Sequence, residues 1–237
     1  MQAATYHGRK DIRVEEVAKG TVGAEEVRID IDSCGICGSD LHEYTAGPIF
    51  VPEGTPHPVS EEKAPIRMGH EYSGIIAEVG DDVTGLAVGD AVAVNPILYC
   101  GECRQCHEGN YHICDSIGFI GLSGGNGGFA ESAVVHAEHA VPLGDDVPVE
   151  HGALVEPLSV ALHAVRRSGL QAGDAVAVFG SGPIGLAVIQ CARVAGAGTI
   201  FVSEPREARR ERAADCGAAE LIDPTTTDPV EYINDHT

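Results

Sequence analysis

Residues 174–204, DAVAVFGSGPIGLAVIQCARVAGAGTIFVSE, run from an apolar stretch of strand length through a glycine-rich turn and an apolar helix to a second apolar stretch that stops on an acid. Strands that alternate with helices imply a parallel sheet, because the helix carries the chain back to the end from which the next strand starts. Gly180, Gly182 and Gly185 are spaced Gly-x-Gly-x-x-Gly at the opening of the helix. With Pro183 and Ile184 they make a turn at which bare amides and a helix N-terminus can approach a pyrophosphate. Glu204 follows Gly185 by 19 residues, at the end of the second strand, where a carboxylate can accept from the ribose hydroxyls of a dinucleotide. The same carboxylate would repel an added phosphate, so NAD rather than NADP is the expected cofactor. Arg206, Arg209 and Arg210 could hold that phosphate, but their spacing fits a solvated helix face.

This grammar begins after Glu150. EPLSVALHAVRRSGL and REARRERAADCG read as helices, AELID (219–223) as a third short strand, and a weak helix ends the sequence. DAVAVFG is expected as a buried strand, and the helix from Pro183, apolar almost all round, as a segment packed between the sheet and a second layer. Residues 1 to about 150 instead show short strands broken by Gly, Pro and acidic turns, at 26–34, 73–80, 90–96 and 128–135. Between them, GPIFVPEGTPHPVSEEKAPIR (47–67) carries five prolines and reads as a long loop of the kind that is often functional. The expected fold class is α/β, with a mainly β domain over residues 1–155 and part of a doubly wound parallel sheet over 156–237. A full dinucleotide fold has two halves of about three strands each, and Asp174 to Thr237 has room for one. The expectation is a C-terminally truncated chain whose strand at 175–179 is an open apolar edge that favours pairing or aggregation.

Thirty-six acidic against 15 basic residues give a net charge of −21, and nucleic acid is not an expected partner. So large a charge self-repels at low ionic strength and is screened by salt. A salt-rich, halophilic cytoplasm and an acidic surface that merely maintains solubility both fit the composition. The N-terminus, MQAATYHGRKDIRVEEV, has no apolar run after its charges, and no stretch approaches the roughly 18 apolar residues of a membrane span. A cytoplasmic protein without a membrane partner is expected, a setting in which disulfides seldom persist.

That setting bears on YCGECRQCHEGNYHIC (99–114), where Cys100, Cys103, Cys106 and Cys114 are spaced Cys-x2-Cys-x2-Cys-x7-Cys. One loop can wrap four such thiolates tetrahedrally around zinc, whereas bridges between near neighbours would be strained. Four sulfurs leave no open position, so the site is structural and supplies folding free energy without chemistry. His107 and His112 are read as bystanders.

CGICGSDLHEY (34–44) and MGHEYSGIIAEVG (68–80) hold the remaining ligand types. With the cysteine cluster they resemble the zinc-containing medium-chain alcohol and polyol dehydrogenases. The run Gly69-His70-Glu71-x2-Gly74-x5-Gly80 is similar to that family's zinc signature, CGICGSDLH to its first-ligand motif, and the loop at about 96–116 to its structural zinc lobe. CGSDLHEY, GPIFVPEGTPHP and LVEPLSVALHAV look most like the (R,R)-2,3-butanediol dehydrogenases, although sorbitol-type polyol dehydrogenases and threonine 3-dehydrogenases share much of the pattern.

The resemblance implies a GroES-like catalytic domain followed by the first half of a Rossmann sheet, two zinc ions per chain, NAD, a small-molecule alcohol or diol substrate, and association into a homo-oligomer. It implies that Cys37, His70 and Glu71 lie in the catalytic zinc shell, with Glu156 nearby as an exchangeable ligand. Carboxylates stand where the two-cysteine, one-histidine alcohol dehydrogenases have a second cysteine. Ser39 and His42 occupy positions similar to the family's hydroxyl and imidazole proton relay. Zinc with an open position lowers the pKa of an alcohol toward neutrality, which prepares it to release hydride. Cys34, Cys191 and Cys216 are expected to be packed as small apolar residues. Two other readings compete: a non-catalytic zinc-binding fragment that docks to a partner, and a zinc-free quinone reductase of the same superfamily, in which the cysteine cluster would be idle.

Overall fold

The computed structural model describes residues 1–237 and divides into two units, Met1–Glu156 and Pro157–Thr237. The first contains β1 (Gln2–Gly8), β2 (Asp11–Glu16), β3 (Glu26–Gly35), helix α1 (Gly38–Ala46), β4 (Ile66–Arg67), β5 (Glu71–Val79), β6 (Ala91–Val94), β7 (Ile97–Leu98), the single turn α2 (Arg104–His107), β8 (Gly118–Phe119), β9 (Ser132–His136) and β10 (Ala140–Pro142). Helix α3 (Val155–Ser168) begins at the division. The second unit continues with β11 (Val176–Phe179), α4 (Pro183–Val194), β12 (Ile200–Ser203), α5 (Glu207–Asp215), β13 (Glu220–Ile222) and α6 (Pro229–Asp235).

The period-two pattern of EVRIDIDSCG becomes β3, which buries Val27 and Ile29 on one face and sends Arg28 and Asp30 to the other. It lies inside an antiparallel sheet of order β10-β6-β5-β3-β9. Val27, Ile29, Tyr72, Ile76, Val92, Val94, Ala133 and Val135 form the core over one face of this sheet. The β3–β5 pairing sets Cys34 opposite Tyr72 and Gly35 opposite Glu71. That register brings the segment leading into α1 beside the start of β5, where two of the predicted metal ligands sit.

The loop at 47–67 has no helix or strand before its last two residues, which form β4 and pair with β1. Its anchor is a second small core of Tyr6, Val51, Ile66, Met68 and Leu122. His57 fixes its middle, with Nδ1 accepting from the amides of Val59 (3.3 Å) and Ser60 (3.4 Å) and Nε2 lying 3.2 Å from the carbonyl of Ile117.

In the second unit β11, β12 and β13 are parallel and lie in that order, with Val176 opposite Ile200 and Phe201 opposite Glu220. Val165, Val178, Ile189, Ala192, Ile200, Val202 and Ala213 make its core, and Cys191 and Cys216 pack against it as small apolar residues. Two expectations are corrected here. The strand at 176–179 is not buried: only Val178 is, and Phe179 is 64% exposed, because β11 is the edge of the sheet. Helix α4 is covered on one face alone, through Ala187, Ile189 and Ala192, while Ile184 and Val194 are exposed. Apolar composition around a helix does not fix how many layers cover it. No helix is long and apolar enough to cross a membrane.

Candidate metal centres and cofactor turn

Helix α1 presents an unusual inner face. Cys37 is its N-cap, with extended backbone, and its amide donates to Asp40 Oδ2 at 2.8 Å. Asp40 and Glu43 follow at intervals of three, so all three share one side of the helix, and both acids are buried. Two buried acids on an inward face are expensive unless something pairs with them.

One partner is the start of β5. Gly69 holds φ +95°, and a Cβ there would lie 2.7 Å from the amide of Phe129, so the turn that delivers His70 needs glycine. At Gly35 a Cβ would lie 2.3 Å from Glu71 Oε2, which shows that this glycine leaves the space the carboxylate occupies. The ligand atoms of Cys37, His70 and Glu71 all fall within 4.8 Å of one another. Ser39 Oγ is 3.3 Å from His70 Nε2, and His70 Nδ1 is 3.6 Å from Asp40 Oδ1. Those last two atoms are buried without any hydrogen-bond partner. Burial disfavours charge on His70, but the Asp40 and Cys37 side chains outweigh it and push the imidazole up to about 10. The pocket therefore favours a positive charge. A thiol, an imidazole and a carboxylate around orphaned polar atoms fit zinc, and three protein ligands leave room for a fourth.

The remaining predicted residues are placed less tightly. Glu156, half-buried, stands outside the group of three ligands; burial raises its pKa, with His70 opposing and Glu71 reinforcing the rise. His42 is exposed on α1 and makes no hydrogen bond to Ser39. Cys34 packs beside the sheet core, and burial pushes its thiol up to about 12, in keeping with an apolar role. Asp40 and Glu43 are the residues that reading the sequence missed. The signal was present in the three-residue spacing from Cys37.

In the second cluster, Cys103 Sγ lies 3.5 Å from Cys106 Sγ and 3.9 Å from Cys114 Sγ, and Cys114 Sγ lies 3.5 Å from Cys100 Sγ. Sulfurs on a tetrahedral zinc with bonds of about 2.3 Å would be about 3.8 Å apart. The amides of Cys100 and Ser116 donate to Cys114 Sγ, each at 3.3 Å, and that of Cys103 to Cys100 Sγ at 3.4 Å. Amides aimed at sulfur favour thiolates, the form a metal requires. None of the eight cysteines is in a disulfide. His107 and His112 are not in the ligand group.

In the second unit Gly180 holds φ +90°, Gly182 is the N-cap of α4, and Pro183 takes its first turn. Ile184 follows as an exposed residue of the same turn. A Cβ at Gly185 would sit 2.0 Å from the carbonyl oxygen of Gly180, so α4 can approach the strand end only because position 185 has no side chain. Glu204 is buried, accepting from the amides of Ser181 (3.1 Å) and Arg206 (3.0 Å) through different oxygens. Burial opposes its charge, but those two amides and the Arg209 guanidinium hold the carboxyl below the usual range. The arginines are not all solvated, as their spacing suggested. Arg210 is tucked in, donating to the Glu204 carbonyl at 2.7 Å and pairing with Asp223 at 3.2 Å, whereas Arg206 and Arg209 are exposed. Replacing Gly185 by Val should weaken NADH binding by at least about a hundredfold, since the loop must move away from its anion-binding shape. Fluorescence titration of NADH would measure it, and an unchanged Kd would remove this turn from the site.

Residues 23–145 match the family model of the alcohol dehydrogenase GroES-like domain, and residues 183–237 match that of the zinc-binding dehydrogenases. The chain is similar to the (R,R)-butanediol dehydrogenase of Bacillus subtilis (strain 168), 48% identical over 230 residues that cover 97% of this chain and 65% of that protein. The crystal structure of 2R,3R-butanediol dehydrogenase from Bacillus subtilis matches with a TM-score of 0.93 and 47% identity, covering 100% of this chain and 67% of that one. A zinc-binding dehydrogenase from Sinorhizobium meliloti 1021, bound to NADP, matches with a TM-score of 0.88 and 34% identity, over 97% of this chain and 64% of that one. The chain thus spans about two thirds of the length of the relatives it matches.

Proposed function

The chain belongs to the zinc-binding, GroES-like alcohol dehydrogenase family, and on that premise we propose that its site serves the NAD-linked oxidation of a secondary alcohol or vicinal diol resembling 2,3-butanediol. The observation that carries this reading is the convergence of the ligand atoms of Cys37, His70 and Glu71 within 4.8 Å of one another. Cys37, His70 and Glu71 would hold the catalytic zinc, Glu156 would exchange into its shell, and Cys100, Cys103, Cys106 and Cys114 would hold a second, structural zinc. Zinc at the first site would act as a Lewis acid that acidifies the alcohol, and NAD would accept the hydride.

The chain's own groups then have defined tasks. Asp40, whose Oδ1 lies 3.6 Å from His70 Nδ1, would orient the imidazole, in the manner of the carboxylates that stand behind metal-bound imidazoles. Ser39, 3.3 Å from His70 Nε2, would take the substrate proton, and His42, one helical turn further on and exposed, would pass it to water. Each carboxylate oxygen of Glu204 has one amide and retains a lone pair for a ribose hydroxyl, which supports NAD over NADP. A related dehydrogenase holds NADP, so the preference rests on Glu204 and not on the family. A salt-rich cytoplasm is the setting we assign, because it best screens a net charge of −21.

The test is a substrate panel: NADH formation at high salt from (R,R)-2,3-butanediol, sorbitol and L-threonine. The expected kcat/KM for butanediol exceeds the other two by at least about tenfold. A preference for sorbitol or threonine would replace the diol assignment, and no turnover with zinc bound would favour a non-catalytic zinc-binding role.

A further inference from the structure

Glu43 is fully buried, on the inner face of α1, and none of the roles described so far uses it. Its carboxylate accepts from three consecutive amides of the proline-rich loop. Ile49 N lies 3.1 Å from Oε1 and 3.0 Å from Oε2, Phe50 N donates to Oε1, and Val51 N lies 3.2 Å from Oε1. Successive amides converging on one carboxylate form an anion-binding concavity, here filled by a side chain of the same chain.

The surroundings are shaped for that carboxylate. A Cβ at Gly47 would lie 2.7 Å from Glu43 Oε2 and 2.6 Å from the Tyr6 hydroxyl, so glycine at 47 leaves the space open. Burial and the neighbouring charge of Glu43 push the Tyr6 hydroxyl up to about 12. The held segment is also tied from its other side, where Ser123 Oγ donates to the Phe50 carbonyl at 3.2 Å and the Phe50 and Phe119 rings meet edge to face, 5.7 Å apart.

The loop held in this way exposes what a core would hide. Ile49 is 53% and Phe50 45% exposed, and Ile36 and Leu41, on either side of Cys37, are exposed as well. Glu43 follows Cys37 by six residues, about 9 Å along the helix axis. One helix therefore carries a zinc-ligand candidate at one end and the anchor of two exposed apolar side chains near the other. Exposed apolar side chains on a segment tied to the helix that bears a zinc-ligand candidate are available to meet an apolar ligand.

We propose that Glu43 is a positioning residue: its carboxylate clamps the backbone of residues 49–51 to α1, so that Ile49 and Phe50 form an apolar wall that selects secondary alcohols with short alkyl ends over polyhydroxylated ones. The substrate part of this proposal rests on the dehydrogenase reading, and the clamp does not. A carboxylate is required because one oxygen must accept from several amides, which an apolar residue cannot do and a glutamine amide does only in part.

The test uses the full chain with zinc, comparing wild type, Glu43→Gln and Glu43→Ala. Amide hydrogen exchange at residues 49–51 should be at least about tenfold faster in Glu43→Ala and intermediate in Glu43→Gln, with β3 and β5 unchanged. KM for (R,R)-2,3-butanediol should rise about tenfold with kcat within about threefold, while KM for sorbitol stays near its wild-type value. The graded response of the near-isosteric glutamine variant keeps the test valid even if Glu43→Ala folds poorly. Unchanged exchange at 49–51 in both variants would overturn the clamp. Faster exchange with an unaltered preference between the two alcohols would overturn the selecting role. A wild-type chain that oxidises neither alcohol would overturn the dehydrogenase reading and the selecting role with it, whereas the exchange rates alone decide the clamp.

Discussion

Cys37→Ser is expected to lower kcat/KM for diol oxidation by at least about a thousandfold, the equivalent of about 4 kcal/mol of transition-state stabilisation from a bound Lewis acid. The fold should survive. Position 37 enters the structure through its backbone amide, which donates to Asp40 and starts α1, and serine keeps that amide. What is lost is the sulfur, one of three ligand atoms, and with it one equivalent of zinc. Asp40→Asn should give a smaller loss, about ten- to a hundredfold, because the histidine would remain but lose the charge behind it. Steady-state kinetics with a circular dichroism spectrum of each variant would measure both. Unchanged kinetics in Cys37→Ser would dissociate these residues from catalysis.

The opposite pattern is expected at the other cluster. Cys103→Ser should lose one equivalent of zinc and several kcal/mol of local stability, because the lobe has little else to hold it. Helix α2 is a single turn with no buried residue, and neither Tyr111 nor Ile113 is buried. Of the four cysteines only Cys114 is buried. Folding free energy in such a segment has to come from the metal, as in other small domains without an apolar core. Limited proteolysis should cut the variant between residues 96 and 116 under conditions that leave the wild type whole. A lobe that resists protease equally in both would contradict a structural metal.

Much of this architecture was legible because it is written in periods. The alternation at 26–35 gave β3, and strand, glycine turn and helix at 174–196 gave the parallel unit, since those patterns follow directly from which face each side chain can reach. The close spacing of Cys100, Cys103 and Cys106 limits how far their sulfurs can separate, so that cluster could be read without coordinates. Other features depend on neighbours that a sequence does not name. For DAVAVFG the apolar run suggested burial and the room for one half-sheet suggested an open edge, and the structure, with β11 at the edge and Phe179 64% exposed, agrees with the second. Arg210 looked solvated because its partners, the Glu204 carbonyl and Asp223, come from the ends of two other strands. Asp40 and Glu43 were missed, because three-residue spacing puts them on one helix face without saying which way that face turns. Only the register of β3 on β5 and the return of the 47–67 loop turn that face inward.

Zinc content and turnover measured together test the central claim most directly. The chain would be stripped with a chelator, reloaded stepwise, and assayed for NADH formation from (R,R)-2,3-butanediol at each step, with Cys37→Ser alongside. The expected result is two zinc ions per wild-type chain, activity that returns only with the equivalent the variant fails to bind, and one retained zinc in Cys37→Ser. Activity that survives complete removal of zinc, or two zinc ions retained in Cys37→Ser, would contradict the assignment of Cys37, His70 and Glu71 as the catalytic metal site.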